Sequence, residues 1–256
     1  MKYIGSKSKL AKYIVPILQQ IIDKYNIGCY LEPFVGGANI IDKIKCKIKL
    51  GTDIDLIPIT LLKEIPQNPN LLNSLPERLT KEHYYDVRDN CAKYQHWYFA
   101  AIMLFGSYNA RVYGGCYGAE ARTKNGGYRN YYKESINNFK KQLPSLKETT
   151  FLCGDYRDTK LVEKSLIYCD PPYASGVGYK TEFNNVEFWD WAREQSKTHL
   201  VVVSENKAPE DFECIWELKT NSGLNNRKKI EKTERLFVYK GGIFNERLER
   251  ECKQHL

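Results

Sequence analysis

The 256-residue sequence has no apolar run approaching the length of a membrane span, and its start, MKYIGSKSKL, lacks the hydrophobic stretch of a secretory signal. An intracellular, cytoplasmic protein with no membrane partner is expected. Its eight cysteines (Cys29, Cys46, Cys91, Cys116, Cys153, Cys169, Cys214 and Cys252) are scattered without a C-x-x-C pair. That distribution predicts reduced thiols, mostly core or neutral surface, rather than a disulfide framework. The four histidines (His83, His96, His199, His255) are equally dispersed, so no metal-ligand spacing appears and no metal is expected. A G-x-G-x-x-G fingerprint is missing too, which counts against a dinucleotide cofactor. There is no internal repeat and no low-complexity tract. A chain of this length fits one domain, or one domain carrying a sizeable insertion.

What is present is a core-forming apolar fraction of 42% and an excess of 39 basic over 31 acidic residues, a net charge of +8. The excess favours an anionic partner only weakly; its distribution says more. Between Tyr108 and Lys141 lie Arg111, Arg122, Lys124, Arg129, Lys133, Lys140 and Lys141, against Glu120 and Glu134. Tyr108, Tyr113, Tyr117, Tyr128, Tyr131 and Tyr132 sit among them. Basic side chains interleaved with aromatics and glycines neutralise phosphates and stack on bases. A solvated loop whose tyrosines pack locally has the same composition, and this segment alone leaves both readings open.

Apolar residues at helical spacing predict a helix over 8–25, dented near Pro16. Cys29-Tyr30-Leu31 leads into EPFVGGANI, which reads as a short strand, a glycine turn and an apolar helix from Ala38 to Cys46. A second strand, Ile48 to Thr52, ends on Asp53, completing the layout of a nucleotide-binding half of an α/β fold. Helical patterns over 71–89 and 91–104 precede the basic stretch. Strands are expected again at Thr149–Cys153, Ser165–Cys169, His199–Ser204, Cys214–Leu218 and Arg235–Lys240, with a mobile loop, TNSGLNNRKKIEKTE, between the last two. The simplest architecture is one open α/β sheet, Rossmann-like, interrupted by an insertion of mostly helix and loop.

In parallel sheets ligands collect at the carboxyl ends of strands. Glu32, Asp53 and Asp170 fall at such ends, with Asp155 just beyond another. Gly36 and Gly37 allow close backbone approach at the first turn. Asp53 stands where a carboxylate can accept both hydroxyls of a ribose, which suits a dinucleotide or S-adenosylmethionine; a capped strand-to-helix turn is the alternative. LIYCDPPYAS is more specific. Pro171 and Pro172 cannot donate to a ladder, so they end the strand and leave carbonyls free beside Asp170. Each also biases the residue before it towards an extended backbone. The result is a stiff corner with two acceptors next to the ring of Tyr173, matched to an exocyclic amino group on a planar ring. Adenine N6 is such a group. Holding both its hydrogens towards Asp170 and the Pro171 carbonyl favours pyramidalisation and stabilises the positive charge that develops on attack. Alignment with an electrophilic methyl carbon supplies much of the rest.

Taken in order, KYIGSKSKL, EPFVGGAN, TDID, SYNA, CGDY, CDPPY and ERLFVY resemble the Dam-type DNA adenine-N6 methyltransferases nearly end to end. The resemblance implies a methyltransferase sheet built from residues 1–55 and 149–256, with 56–148 as an inserted target-recognition domain. It implies S-adenosylmethionine as cofactor, with Tyr3 and Lys7 matching residues that help hold it, Asp53 the ribose-binding acid and Asp170 close to it; Glu32, Phe34, Gly36, Gly37 and Asp155 complete the expected cofactor set. Asp170, Pro171, Pro172 and Tyr173 become the catalytic set. Double-stranded DNA becomes the partner, with the target adenine flipped out at a cost of a few kcal/mol. Tyr108 and Asn109 match the family's DNA-contacting pair, Tyr108 being the candidate wedge. Arg111, Tyr113, Arg122, Lys124 and Arg129 complete the expected DNA surface. The sequence then departs from its relatives: Ala110 replaces the usual glycine, and Tyr113 stands where an arginine is usual. The recognised site, the link to a restriction–modification system and the oligomeric state are not fixed by these residues. Cytosine N4, RNA and protein amides are rival substrates, and a DNA-binding protein retaining only the fold is a rival of another class.

Overall fold

The computed structural model describes residues 1–111, 114–117, 120–122, 125–159, 164–172, 183–222 and 230–243. Its elements run, in chain order, α1 (Ala11–Tyr25), β1 (Cys29–Glu32), β2 (Ile48–Asp53), α2 (Leu56–Glu64), α3 (Lys81–Asp89), α4 (His96–Gly106), β3 (Glu120–Arg122), β4 (Tyr128–Asn130), α5 (Tyr131–Leu146), β5 (Thr150–Cys153), β6 (Ser165–Cys169), α6 (Asn185–Ser196), β7 (Leu200–Glu205), β8 (Phe212–Ser222) and β9 (Ile230–Tyr239). Seven strands join in the order β5-β2-β1-β6-β7-β9-β8, and β3 pairs with β4 in a separate ribbon. Pairing is parallel for β1 with β6, β2 with β5, and β6 with β7; β9 runs antiparallel to both β7 and β8. The mixed α/β class expected from the sequence is the one found. Strand order reverses beside β1, the topological switch point at which open α/β sheets gather ligands.

By its contacts the chain divides into two compact units. The first comprises Met1–Gln19, Val35–Lys45 and Lys49–Asp155. Its centre is α4, buried from Ala100 to Gly106, which packs against α2, α3 and α5. A helix apolar all round must be enclosed in this way. The second unit comprises Gln20–Phe34, Cys46–Ile48 and Tyr156–Leu256. Every residue of β6 and β7 is buried, which is why SLIYC and LVVVSE read as near-continuous apolar runs instead of alternating. Helix α6 packs on β7 and buries Phe188, Trp189 and Ala192, the large Phe188 side chain contributing about 1.5–3 kcal/mol on burial.

Several expected elements differ. The helix predicted over Ala38–Cys46 is a single 3-10 turn, Ile41–Lys43. Ala38 adopts a left-handed backbone (φ 54°), and the Asn39 side chain is drawn to the Met1 carbonyl and the Ser6 hydroxyl, so no α-helix starts there. The 8–25 helix begins only at Ala11, after a 3-10 turn over Lys7–Lys9. The 71–89 pattern breaks into a 3-10 turn, Pro69–Asn73, and α3, because Pro76 biases Leu75 away from helix. The supposed mobile loop is strand at both ends, registered Ser222↔Ile230, since antiparallel pairing satisfies the backbone of polar residues as well as apolar ones. Within the basic stretch, α5 went unread. Tyr132, Ile136, Phe139 and Leu143 form its buried face at helical spacing, and the Asn130 side chain caps it by accepting from the Lys133 amide (2.9 Å).

Candidate active site

In the first unit, β2 delivers Asp53 beside the glycine turn. The Asp53 Oδ2 accepts from the Gly36 amide (2.8 Å) and Oδ1 from the Asp55 amide (2.9 Å). Burial pushes its carboxyl up to about 6 from an ordinary 3.8, against these two bonds, which act in the opposite direction. Part of its surface still reaches solvent. Each oxygen therefore keeps acceptor capacity for a further donor. Beyond β5, the Gly154 amide donates to the Asp53 carbonyl (3.0 Å), which ties the two strand ends together just before Asp155.

Gly36 (φ +46°) and Gly37 are needed for a reason the sequence did not disclose. A Cβ on Gly36 would lie 2.7 Å from Cδ1 of Tyr3, and one on Gly37 would lie 2.5 Å from the Met1 carbonyl oxygen. The close approach they permit is that of the chain's own first residues. Tyr3 is then fixed at its far end, its hydroxyl donating to Asp55 Oδ2 (2.9 Å). Lys7 is buried in the following 3-10 turn. Asp55 went unrecognised: it caps α2 by accepting from Ile57 (3.0 Å), holds Tyr3 and orders Asp53. An acid directly before the apolar run LIPITLL was a legible helix-start signal. Cys153, exposed at the end of β5, has its thiol pushed up by burial and by the charges of Asp53 and Asp55.

In the second unit, β6 leads directly into the half-buried Asp170, followed by Pro171, buried, and Pro172. Cys169, immediately before, is fully buried and its thiol is raised well above the usual range by burial and by the charges of Asp170 and Glu32. Glu32, at the end of the neighbouring β1, is buried and accepts from the Tyr30 hydroxyl (2.7 Å). Phe34 sits in an aromatic cluster, its ring 5.2 Å from Tyr156, 5.8 Å from Phe183 and 5.7 Å from Phe188. Trp191 extends the cluster against Tyr156 at 5.1 Å. Phe183, Phe188 and Trp191 were missed; an aromatic-rich helix start, FNNVEFWDW, was the available signal. Tyr173 lies outside the described residues.

The basic segment of the first unit begins where α4 ends. Tyr108 is 44% exposed and opens a single 3-10 turn, Tyr108–Ala110. Ala110 is buried with φ +55°, a left-handed backbone that favours glycine. The replacement of the family's glycine by alanine thus leaves the backbone in a glycine-like conformation. Arg111 is exposed. Arg129 is already engaged, bonded to both carboxylate oxygens of Glu134 (2.6 and 2.8 Å) and lying over the Tyr131 ring. Tyr113 and Lys124 fall outside the described residues, as do the side chains of Asn109 and Arg122. Among the described residues no group of His, Cys, Asp and Glu could hold a metal ion, and no helix is long and apolar enough to cross a membrane.

A family model described as D12 class N6 adenine-specific DNA methyltransferase matches residues 3–237. Among curated relatives, the chain is 28% identical over 200 residues to the type II methyltransferase M.MjaIII of Methanocaldococcus jannaschii, covering 68% of each chain. It is 21% identical over 255 residues to the type II methyltransferase M.FokI of Planomicrobium okeanokoites, covering 93% of this chain and 38% of that protein. Among solved structures, the rRNA methyltransferase aviRa from Streptomyces viridochromogenes is similar with a TM-score of 0.45 and 11% identity, covering 93% of this chain and 86% of that one. A match from the Tyr3 that packs on Gly36 to the Phe237 of β9 spans both units, and on it the chain belongs to the D12 class of N6 adenine-specific DNA methyltransferases, transferring a methyl group to the N6 amino group of adenine in DNA.

Proposed function

We propose that the methyl donor is S-adenosylmethionine and that the adenine is flipped from duplex DNA before it is methylated. The donor set of the first unit fits such a cofactor: a carboxylate at a strand end, half satisfied by backbone amides, suits a ribose diol. Tyr3, Lys7, Glu32, Phe34, Gly36, Gly37, Asp53, Asp155 and Asp170 are the residues proposed to hold it. When bound, S-adenosylmethionine supplies an electrophilic methyl group.

The chain's own part in the reaction is to bind and orient the amine. Asp170 and the Pro171 carbonyl accept the two N6 hydrogens, Tyr173 stacks on the base, and the fixed acceptors stabilise the positive charge that grows on nitrogen. Asp170 is held for this by β6, buried at every position, and by the two prolines after it. That arrangement carries the reading. Tyr108 fills the gap left in the duplex, and Asn109, Arg111, Tyr113, Arg122, Lys124 and Arg129 contact the DNA around it. Residues 56–148 act as the target-recognition part, and 1–55 with 149–256 as the catalytic part. The protein works inside a cell, and its likeness to two type II methyltransferases supports a restriction–modification setting.

Transfer of tritiated methyl groups from S-adenosylmethionine to adenine-containing duplex tests the chemistry. Asp170→Ala is expected to abolish transfer while retaining the fold and most DNA binding. Normal turnover by that variant would remove Asp170 from the catalytic set.

A further inference from the structure

Three tyrosine rings and a guanidinium stand in a row in the first unit. Tyr108 meets Tyr117 edge-on, with centroids 4.9 Å apart and planes at 79°. Tyr117 tilts onto Tyr131 at 5.2 Å and 35°, and the Arg129 guanidinium lies 4.7 Å from the Tyr131 centroid. The inner members are anchored through backbone. Tyr117 donates its amide to the Gly106 carbonyl (2.7 Å), and Ser107 pairs with Cys116 in an isolated antiparallel bridge. Gly106 is buried and closely packed: a Cβ there would fall 2.3 Å from Cδ2 of Leu79. Tyr131 begins α5, capped by Asn130, and Arg129 is tied to Glu134 one turn along that helix. Tyr108 differs: it is exposed, on one 3-10 turn, and an exposed ring ordinarily changes rotamer readily. Its ring packs against Tyr117.

We infer that Tyr117 is a positioning residue for methylation of paired DNA, holding the Tyr108 ring in the direction from which it enters the duplex. This rests on the wedge role proposed above for Tyr108. Tyr117 touches no reacting atom; its effect passes through its neighbour, whose edge-to-face packing it completes.

Single-turnover methyl transfer by the full chain, on duplexes whose target adenine is paired or mismatched, tests it. Mismatched bases cost little to extrude, so a wedge matters less there. Tyr117→Phe keeps the ring and is expected to stay within about twofold of wild type on both duplexes. Tyr117→Ala and Tyr117→Leu remove the ring, and are expected to slow the paired substrate about tenfold and the mismatched one by at most about twofold. Leucine retains apolar bulk, so it carries the test if alanine unfolds the turn. In a Tyr108→Ala background, removing the Tyr117 ring should leave the paired-to-mismatched ratio unchanged. Equal slowing of both duplexes by Tyr117→Leu, or additive effects in the double variant, overturns the inference. The failures are distinguishable. If Tyr108→Ala itself slows both duplexes equally, the wedge reading falls; if only Tyr117→Leu does so, the wedge stands and the positioning role alone is lost.

Discussion

If Asp53 holds the ribose of S-adenosylmethionine, as proposed, its raised carboxyl makes cofactor affinity depend on pH in a range where an ordinary aspartate would not. The folded protein holds this proton up to about pH 6, against an ordinary 3.8, because burial penalises the charged form more than the Gly36 and Asp55 amides favour it. Two hydroxyl donors from a ribose stabilise the ionised form, so ligand binding lowers the carboxyl's pKa and releases a proton between about pH 5 and 7. At pH 7 roughly nine-tenths of the carboxyl is ionised, and at pH 5 roughly one-tenth. If only the ionised form binds, affinity falls about tenfold across that interval. With an unshifted carboxyl the loss would be under about a tenth of the starting value. Calorimetric titration of S-adenosylmethionine at constant ionic strength from pH 5 to 8, in buffers of different protonation enthalpy, reads both the affinity and the proton. Asp53→Asn, which has nothing to titrate there, should bind more weakly and show a flat profile. A wild-type affinity that changes less than about twofold, or an asparagine variant that retains the full pH dependence, would refute the reasoning.

Ala110→Gly should relieve a left-handed alanine and stabilise the protein by about 1 kcal/mol, raising the melting temperature by roughly 2–4 °C in calorimetry. An unchanged or lower melting temperature would mean that the buried Ala110 methyl contributes more than the strain costs. Gly36→Ala should destabilise by about 1–3 kcal/mol in urea unfolding, from positive φ and collision with the Tyr3 ring together. Adding Tyr3→Ala should recover part of that loss, whereas strict additivity of the two changes would show that the ring is not what the new methyl meets.

Legibility varied with how local the determinant was. The strands Ser165–Cys169 and Ile48–Asp53 could be read almost to the residue, since a run of β-formers closed by an acid or a proline is decided by neighbours in sequence. The family, and with it the chemistry, followed from the order of short motifs. The Ala38–Cys46 helix failed because Asn39 is claimed by Met1 and Ser6, more than thirty residues away, which no window includes. Helix α5 was hidden by its own charge, since lysines at its solvent face masked an apolar stripe. The glycine pair was recognised as needing space, but its neighbour is Tyr3, a tertiary fact. Asp55 was overlooked beside the more conspicuous Asp53, although the capping signal was there to be used.

The thiols of Cys153 and Cys169, the last residues of β5 and β6, offer unequal handles for chemical labelling. Cys169 adjoins Asp170 along the chain, yet full burial and two nearby negative charges keep it protonated and out of reach of alkylating agents. Cys153 is exposed and lies close to Asp53 and Asp55. A maleimide probe attached there would report on the surroundings of Asp53, the proposed ribose ligand, while Asp170, the proposed amine acceptor, stays unmodified.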